Sequence, residues 1–543
     1  MGIMMLNTFY HSFADTGSII SLTFANLLYR DAGVLALSDG VLVSSLFLCV
    51  PYVKALKRGW FRYWPAGALF QHAWQGAMLA CVIKWARYRE WPWVQSGFFV
   101  LHTLSMMMKI HSYLTVNGNM SCMYHKLHRV EQQLKERVLE LDGARGGEVN
   151  APAKIPEKKA EARRMREELM TNAWNRAVIA AQKEADESEG ANDLLDPSSK
   201  KAKASVQLFH QRSMSAFRHR AFRGTLVRHR RESTASSSQN SAIPTSQPST
   251  QQYSQEETMH DLHPLSTHSD SVIAYLSREI ESLREELMSI PPAKQEGIQE
   301  EVAESLAGRD SRVCWPDNVT YANFWDYLLV PTLVYELEYP RTTSVRPLYV
   351  LEKTLATFGT FFVIYVITEH FIIPHSPTPG TPLLQTLLKL ALPMMINYLL
   401  IFYIMFECVC NAFAELTRFA DREFYQDWWN ATSMDVFSRK WNKPVHSFLL
   451  KHVYASSIAD LGLGKTGAML LTFLLSAFLH ELVMAIVSGK IRGYLFFAQM
   501  SQMPLILLSK APFIRDNETL GNLVFWIGLM AGFPLLNIGY LIY

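Results

Sequence analysis

One histidine, His480, stands in the apolar run 474–483 with a single ionisable neighbour, Glu481. An imidazole titrates near neutral pH, so a positioned one can take a proton from a hydroxyl as that hydroxyl attacks, an effect worth roughly 10²- to 10⁴-fold in rate. A lone histidine on a helix is ordinarily structural, but an ionisable group at membrane depth is costly to keep and points to a function. Glu481 lies about 100° away around an ideal helix, so the two do not form a stacked acid/base dyad. Ser476, four residues before His480, shares its face and is placed either to hydrogen-bond the ring or to touch a substrate. Some fifty residues earlier, Tyr425, Asp427, Trp428, Trp429 and Asn430 crowd into six positions. An interfacial aromatic belt explains the rings, whereas Asp and Asn packed among them point to a dedicated polar site. Gln502 is a further polar group in an apolar run, suited equally to lining a tunnel or bonding a neighbouring backbone.

The elements that position these residues are membrane helices. Mean hydropathy over the 543 residues is only +0.03, because apolar stretches long enough to cross about 30 Å of hydrocarbon flank a polar middle third. Spans are expected near Leu35–Val53, Ala66–Ile83, Val94–Ile110, Thr354–Ile373, Leu387–Cys410, Gly467–Val487, Tyr494–Leu508 and Leu523–Tyr543, about eight in all. This is an all-α, polytopic membrane helix bundle. Lys54, Lys57, Arg58 and Arg62, with no acid among them, read as a cytosolic loop, and parity then puts the 424–430 motif in the cytosol. Two short loops, one with Lys84, Arg87 and Arg89 and one with Lys490 and Arg492, fall on the other side and disagree.

Three parts follow: N-terminal membrane helices over 1–125, a charged cytosolic insertion over 126–312, and a membrane core over 313–543. The insertion has too few large apolar residues to offset chain entropy and is expected to be mostly disordered, with isolated helices over 131–141 and 157–181. From Lys200 to Arg231 there are ten Lys or Arg and no acid, interleaved with Phe209, Phe217 and Phe222; attachment to anionic lipid and a solvated linker are both open readings. A Ser/Thr/Gln-rich tract fills 233–254. In Ser271–Ile290 apolar residues recur at spacings of three and four, giving a helix with one stripe that either docks on the membrane domain or pairs with its own copy. A net charge of +3 and a pI near 8.4 give no reason to expect nucleic acid as a partner. The six cysteines are scattered, with no ligand spacing for a metal and no disulfide framework.

At the residue level a resemblance becomes specific. Phe424 to Asn430 is similar to the Phe-Tyr-x-Asp-Trp-Trp-Asn signature of the sterol and diacylglycerol O-acyltransferase branch of membrane-bound O-acyltransferases, and Ser476 to Glu481 resembles its histidine segment. Blocks at 108–113, 331–341, Trp441 with Asn442, and 444–446 agree in order, so the resemblance covers nearly all the chain outside the insertion. The wording of 410–422, 444–454 and 494–504 is most similar to fungal sterol O-acyltransferases. The resemblance begins near Ser21, and the family's first membrane helix has no counterpart, since Ser18 to Tyr29 is too short to span; the N-terminus is then lumenal, or the true start lies upstream.

What the resemblance implies is the family fold and an endoplasmic-reticulum enzyme that moves a long-chain acyl group from acyl-CoA to the 3β-hydroxyl of a sterol. His480 corresponds to the catalytic residue and Asn442 to its partner. Tyr425, Trp428 and Trp429 either pack on the pantetheine arm of coenzyme A or brace the helix bundle, with Asn430 offering hydrogen bonds at that entry, and Asp427, Trp441, Ser476, Glu481 and Gln502 are further substrate-side candidates. Acyl-CoA is a substrate, so no cofactor or metal is expected. The implied partners are acyl-CoA, sterol, membrane lipid and a homo-oligomer, a dimer or pair of dimers. Diacylglycerol acylation is the alternative reaction. An inactive lipid sensor or scaffold is the alternative class, which substitution of His480, Asn442 or the aromatic motif would mark, and none is substituted. A transporter predicts internal repeats, which are absent.

Overall fold

The computed structural model describes residues 29–145, 263–288, 313–376, 381–509 and 517–542, together with Tyr10. The expected helix over 157–181, the basic block, the 233–254 tract, most of 18–29 and the expected disorder between them lie outside these residues. The described residues form helices and turns, with two isolated bridging pairs and no strand. In chain order the helices used below are α1 (Ala32–Lys57), α2 (Ala68–Tyr88), α3 (Trp93–Arg145), α4 (Ser271–Glu286), α5 (Tyr321–Leu329), α6 (Pro347–His375), α7 (Leu383–Leu416), α8 (Met434–Trp441), α9 (443–459), α10 (Lys465–Ser488), α11 (Tyr494–Met500), α12 (Gln502–Ser509) and α13 (Glu518–Ile542).

Five of these, α1, α6, α7, α10 and α13, are long and apolar enough to cross a membrane. The expected spans 66–83 and 94–110 fall on α2 and α3, which are helical but bury Gln71, Gln75, Lys109 and Ser112. The expected span Tyr494–Leu508 is instead two short helices meeting at Ser501. Pro504 explains the break, because it has no N–H to give to the carbonyl one turn back.

The long helix α3 is the axis of the fold. At ~1.5 Å per residue its 53 residues run roughly 80 Å, well beyond hydrocarbon thickness. It therefore continues through position 126, where the composition changes. One half packs against α1, α2 and α10; the far half carries α4. The stripe of α4 buries Ile273, Ile280, Leu283 and Leu287, with Leu265 ahead of it, in one cluster with Leu127, Val130, Leu134 and Val138 of α3. Ion pairs flank that seam: Lys126 to Glu279 at 2.7 Å, Arg284 to Glu131 at 2.8 Å and Arg137 to Asp270 at 3.0 Å. Asp270 also caps α4, accepting from the Val272 and Ile273 N–H groups. Of the two open readings for this helix, docking within its own chain is the one observed.

Where α3 meets the core, polar groups interlock. Lys109 Nζ donates to the Tyr327 and Val330 carbonyls at 2.9 and 2.7 Å, holding the end of α5. The Tyr335 N–H donates to Ser112 Oγ, which lies 2.7 Å from His452 Nε2 on α9. His452 is thus a bonded structural histidine.

Candidate active site

His480 lies on α10 and is exposed from the protein, while Glu481 beside it is buried. The His480 Nδ1 is 2.8 Å from the Ser476 carbonyl oxygen and 3.5 Å from Ser476 Oγ. A carbonyl oxygen only accepts, so Nδ1 carries the proton, and in the neutral ring Nε2 keeps its lone pair. No described residue engages Nε2. Ser476 therefore orients the ring chiefly through its backbone, and what remains is a base pointing away from the protein interior.

Asn442 sits between α8 and α9. Its Oδ1 accepts from the Val445 N–H at 3.1 Å and caps α9, so the amide orientation is fixed by a backbone donor. The two hydrogens on Nδ2 have no acceptor among the described residues. α9 and α10 pack against each other across the short connection 460–464, which makes them an antiparallel hairpin.

The aromatic motif is joined to Asn442 by backbone bonds: Lys443 N–H to the Phe424 carbonyl at 3.0 Å, and Gln426 N–H to the Lys440 carbonyl at 2.9 Å. Its side chains, however, mostly face the protein. Trp428 is 4% exposed and packs with Phe402, Phe437, Trp441 and Trp526, its ring 4.7 Å from that of Trp441. Trp441 stacks on Tyr398, centroids 5.2 Å apart. The Trp429 carbonyl accepts from Asn522 Nδ2 and Trp526 Nε1 of α13 at 2.8 and 3.0 Å. Gly521 lets α13 approach that closely, since a Cβ there would stand 2.9 Å from the Thr432 carbonyl. Tyr425 donates to Glu407 Oε2 at 3.2 Å. Asp427 pairs with Lys440 at 2.8 Å, and that ammonium holds its carboxyl below the usual range. The contacts of Tyr425, Trp428 and the Trp429 carbonyl brace α7, α8 and α13 together, and Asp427, Trp429 and Asn430 are the motif residues left exposed.

Glu481 is wholly engaged by protein donors: Gly493 N–H at 2.7 Å, Leu495 N–H at 3.1 Å, Phe496 N–H at 3.2 Å and Tyr540 O–H at 2.7 Å. Oε2 accepts three of these bonds and Oε1 one, so the buried carboxylate is committed chiefly to the protein. Gln502 opens α12, half-buried and without a hydrogen bond to a described residue. Another ionisable pair joins two spanning helices and was not singled out from the sequence. Lys353 of α6 donates to Glu407 of α7 at 2.8 Å, and Glu407 also receives Tyr425. Glu407, an acid inside the expected span Leu387–Cys410, was the available signal. No group of three or more His, Cys, Asp or Glu side chains able to hold a metal is present among the described residues.

A bundle of helices, five of them long and apolar enough to cross a membrane, defines a polytopic membrane protein, with His480 oriented on one of those helices. Residues 247–542 match the model of the membrane-bound O-acyltransferase family. The chain belongs to that family. It is 43% identical over 241 residues to the probable sterol O-acyltransferase 1 of Schizosaccharomyces pombe, covering 42% of this chain and 44% of that protein. With sterol O-acyltransferase 2 of Saccharomyces cerevisiae it shares 42% identity over 232 residues, 40% of this chain and 36% of the relative. Diacylglycerol O-acyltransferase 1 of Dictyostelium discoideum is 36% identical over 234 residues, covering 42% and 37%. The chain spans about half the length, or less, of the curated relatives it matches.

Proposed function

We propose that the protein transfers a long-chain acyl group from acyl-CoA to the 3β-hydroxyl of a sterol, in the endoplasmic reticulum membrane. The observation that carries the reading is the His480 ring, whose Nδ1–H is held by the Ser476 carbonyl so that Nε2 is free as a base. The sterol relatives, more similar than the diacylglycerol one, support the choice of acceptor.

In the proposed reaction the sterol oxygen attacks the thioester carbonyl carbon while His480 Nε2 takes the hydroxyl proton. The carbonyl oxygen becomes an oxyanion, for which Asn442 Nδ2 is a donor with no other commitment; loss of one such donor costs about 2.7–4 kcal/mol in other enzymes. The tetrahedral intermediate collapses, the C–S bond breaks, and the coenzyme A thiolate leaves and takes the proton from the imidazolium. Steryl ester and coenzyme A are released, with histidine neutral again. Exposed Trp429 and Asn430 offer contacts to acyl-CoA at the cytosolic edge, and membrane lipid surrounds the apolar faces. A dimer or pair of dimers remains part of the proposal through the family resemblance.

The test is His480→Ala in the purified protein. Removing the ring deletes little buried surface, so the variant is expected to insert and fold while steryl ester formation is lost. Normal turnover by the folded variant would overturn the catalytic assignment.

A further inference from the structure

Glu481 carries an unusual load for a carboxylate next to a base. Gly489 and Gly493, with φ of +72° and +76°, form a tight turn after α10 that folds the start of α11 back onto it. The N–H groups of Gly493, Leu495 and Phe496 converge on Glu481, satisfying donors that a helix start leaves open. From the third side, Tyr540 of α13 donates its O–H to Glu481 Oε2 and accepts from the Leu495 N–H. Arg492 completes the junction by donating to the Gly539 and Tyr540 carbonyls at 2.9 and 2.8 Å. A buried carboxylate with four donors fixes the rotation of the helix that bears it, and one residue earlier on that helix is His480. The Ser476 carbonyl then sets the ring plane relative to the same helix.

We propose that Glu481 is a positioning residue for His480: by clamping α10 to the start of α11 and the end of α13, it fixes the direction in which the imidazole presents Nε2. This rests on the reading of His480 as the base. A base misplaced by about 1 Å can cost roughly 10²-fold in rate without altering substrate affinity. Glu481→Ala is therefore expected to lower kcat per folded molecule by about 10²-fold, with KM for acyl-CoA and sterol within about twofold.

The experiment compares Glu481→Ala, Glu481→Asp, Tyr540→Phe and His480→Ala in purified protein, with kcat normalised to the folded fraction. Glu481→Asp keeps the carboxylate and is expected to recover part of the lost kcat. Tyr540→Phe removes one donor, keeps the ring, and is expected to lower kcat several-fold; it carries the test if Glu481→Ala does not fold. An unchanged kcat per folded molecule, with only yield or melting temperature reduced, overturns the proposal. So does a raised KM at constant kcat, which would return Glu481 to substrate contact. If His480→Ala stays active, the base assignment and this proposal fall together. If His480→Ala is inactive and the Glu481 and Tyr540 variants turn over normally, only the positioning role falls.

Discussion

Asn442 serves two ends of one amide. Oδ1 caps α9, and because the cap fixes the side chain, Nδ2 is held in one orientation with both hydrogens uncommitted among the described residues. If that donor acts mainly on the oxyanion, Asn442→Ala should lower kcat and kcat/KM together by roughly 10²- to 10³-fold, leaving KM for acyl-CoA little changed. A raised KM at constant kcat would instead mark a ground-state contact. Loss of the cap adds about 1 kcal/mol of destabilisation, read separately by thermal unfolding. His480 stood out in the sequence as an ionisable group in an apolar run, and Asn442 only through the family resemblance at Trp441 and Asn442. The burial of Trp428 and the engagement of Glu481 were not legible there. Their partners come from Phe402, Trp526, Gly493 and Tyr540, brought close only by helix packing that no local pattern records.

At the scale of elements, the α9–α10 hairpin changes the topology expected from hydropathy. The segment 443–459 holds Lys443, His446, Lys451 and His452, too polar to register as a span, yet it runs beside α10 with His452 bonded inside the bundle. If α9 crosses with α10, residues 489–493 return to the side of the aromatic motif, and Lys490 and Arg492 no longer oppose the positive-inside rule. Of the other dissenting loop, Arg89 is paired with Asp31 at 2.8 Å. A glycosylation acceptor inserted beside Lys490 is accordingly expected to stay unmodified in cells, and its modification would contradict this topology. The stripe of α4 was readable from spacing, but its mate was not, because Leu127 to Val138 belong to a helix that begins at Trp93. The packing of His263, Leu265 and His268 also sets a boundary inside the insertion. Deleting 151–262 should leave turnover per molecule largely intact. Extending the deletion through 288 strips partners from Leu127, Val130, Leu134 and Val138, each worth about 1.5–3 kcal/mol when fully buried, and should lower the melting temperature sharply. Equal stability of the two deletions would show that α4 is dispensable.

For the whole molecule, the aromatic motif acts as a knot. It joins α7 through Phe402 and Glu407, α8 through Lys440 and Trp441, and α13 through Asn522 and Trp526, so that the hairpin bearing Asn442 and His480 is anchored to the last helix from two places, here and at Glu481. The membrane class and helical fold were legible from hydropathy and motif order, whereas the identity of the acceptor was not, because generic apolar residue types carry no signature of what they would enclose. The central claim is therefore tested most directly by offering purified protein labelled oleoyl-CoA with ergosterol, cholesterol and diacylglycerol in parallel. A 3β-hydroxysterol should be esterified far faster than triacylglycerol is made; comparable or faster triacylglycerol synthesis would contradict the sterol assignment.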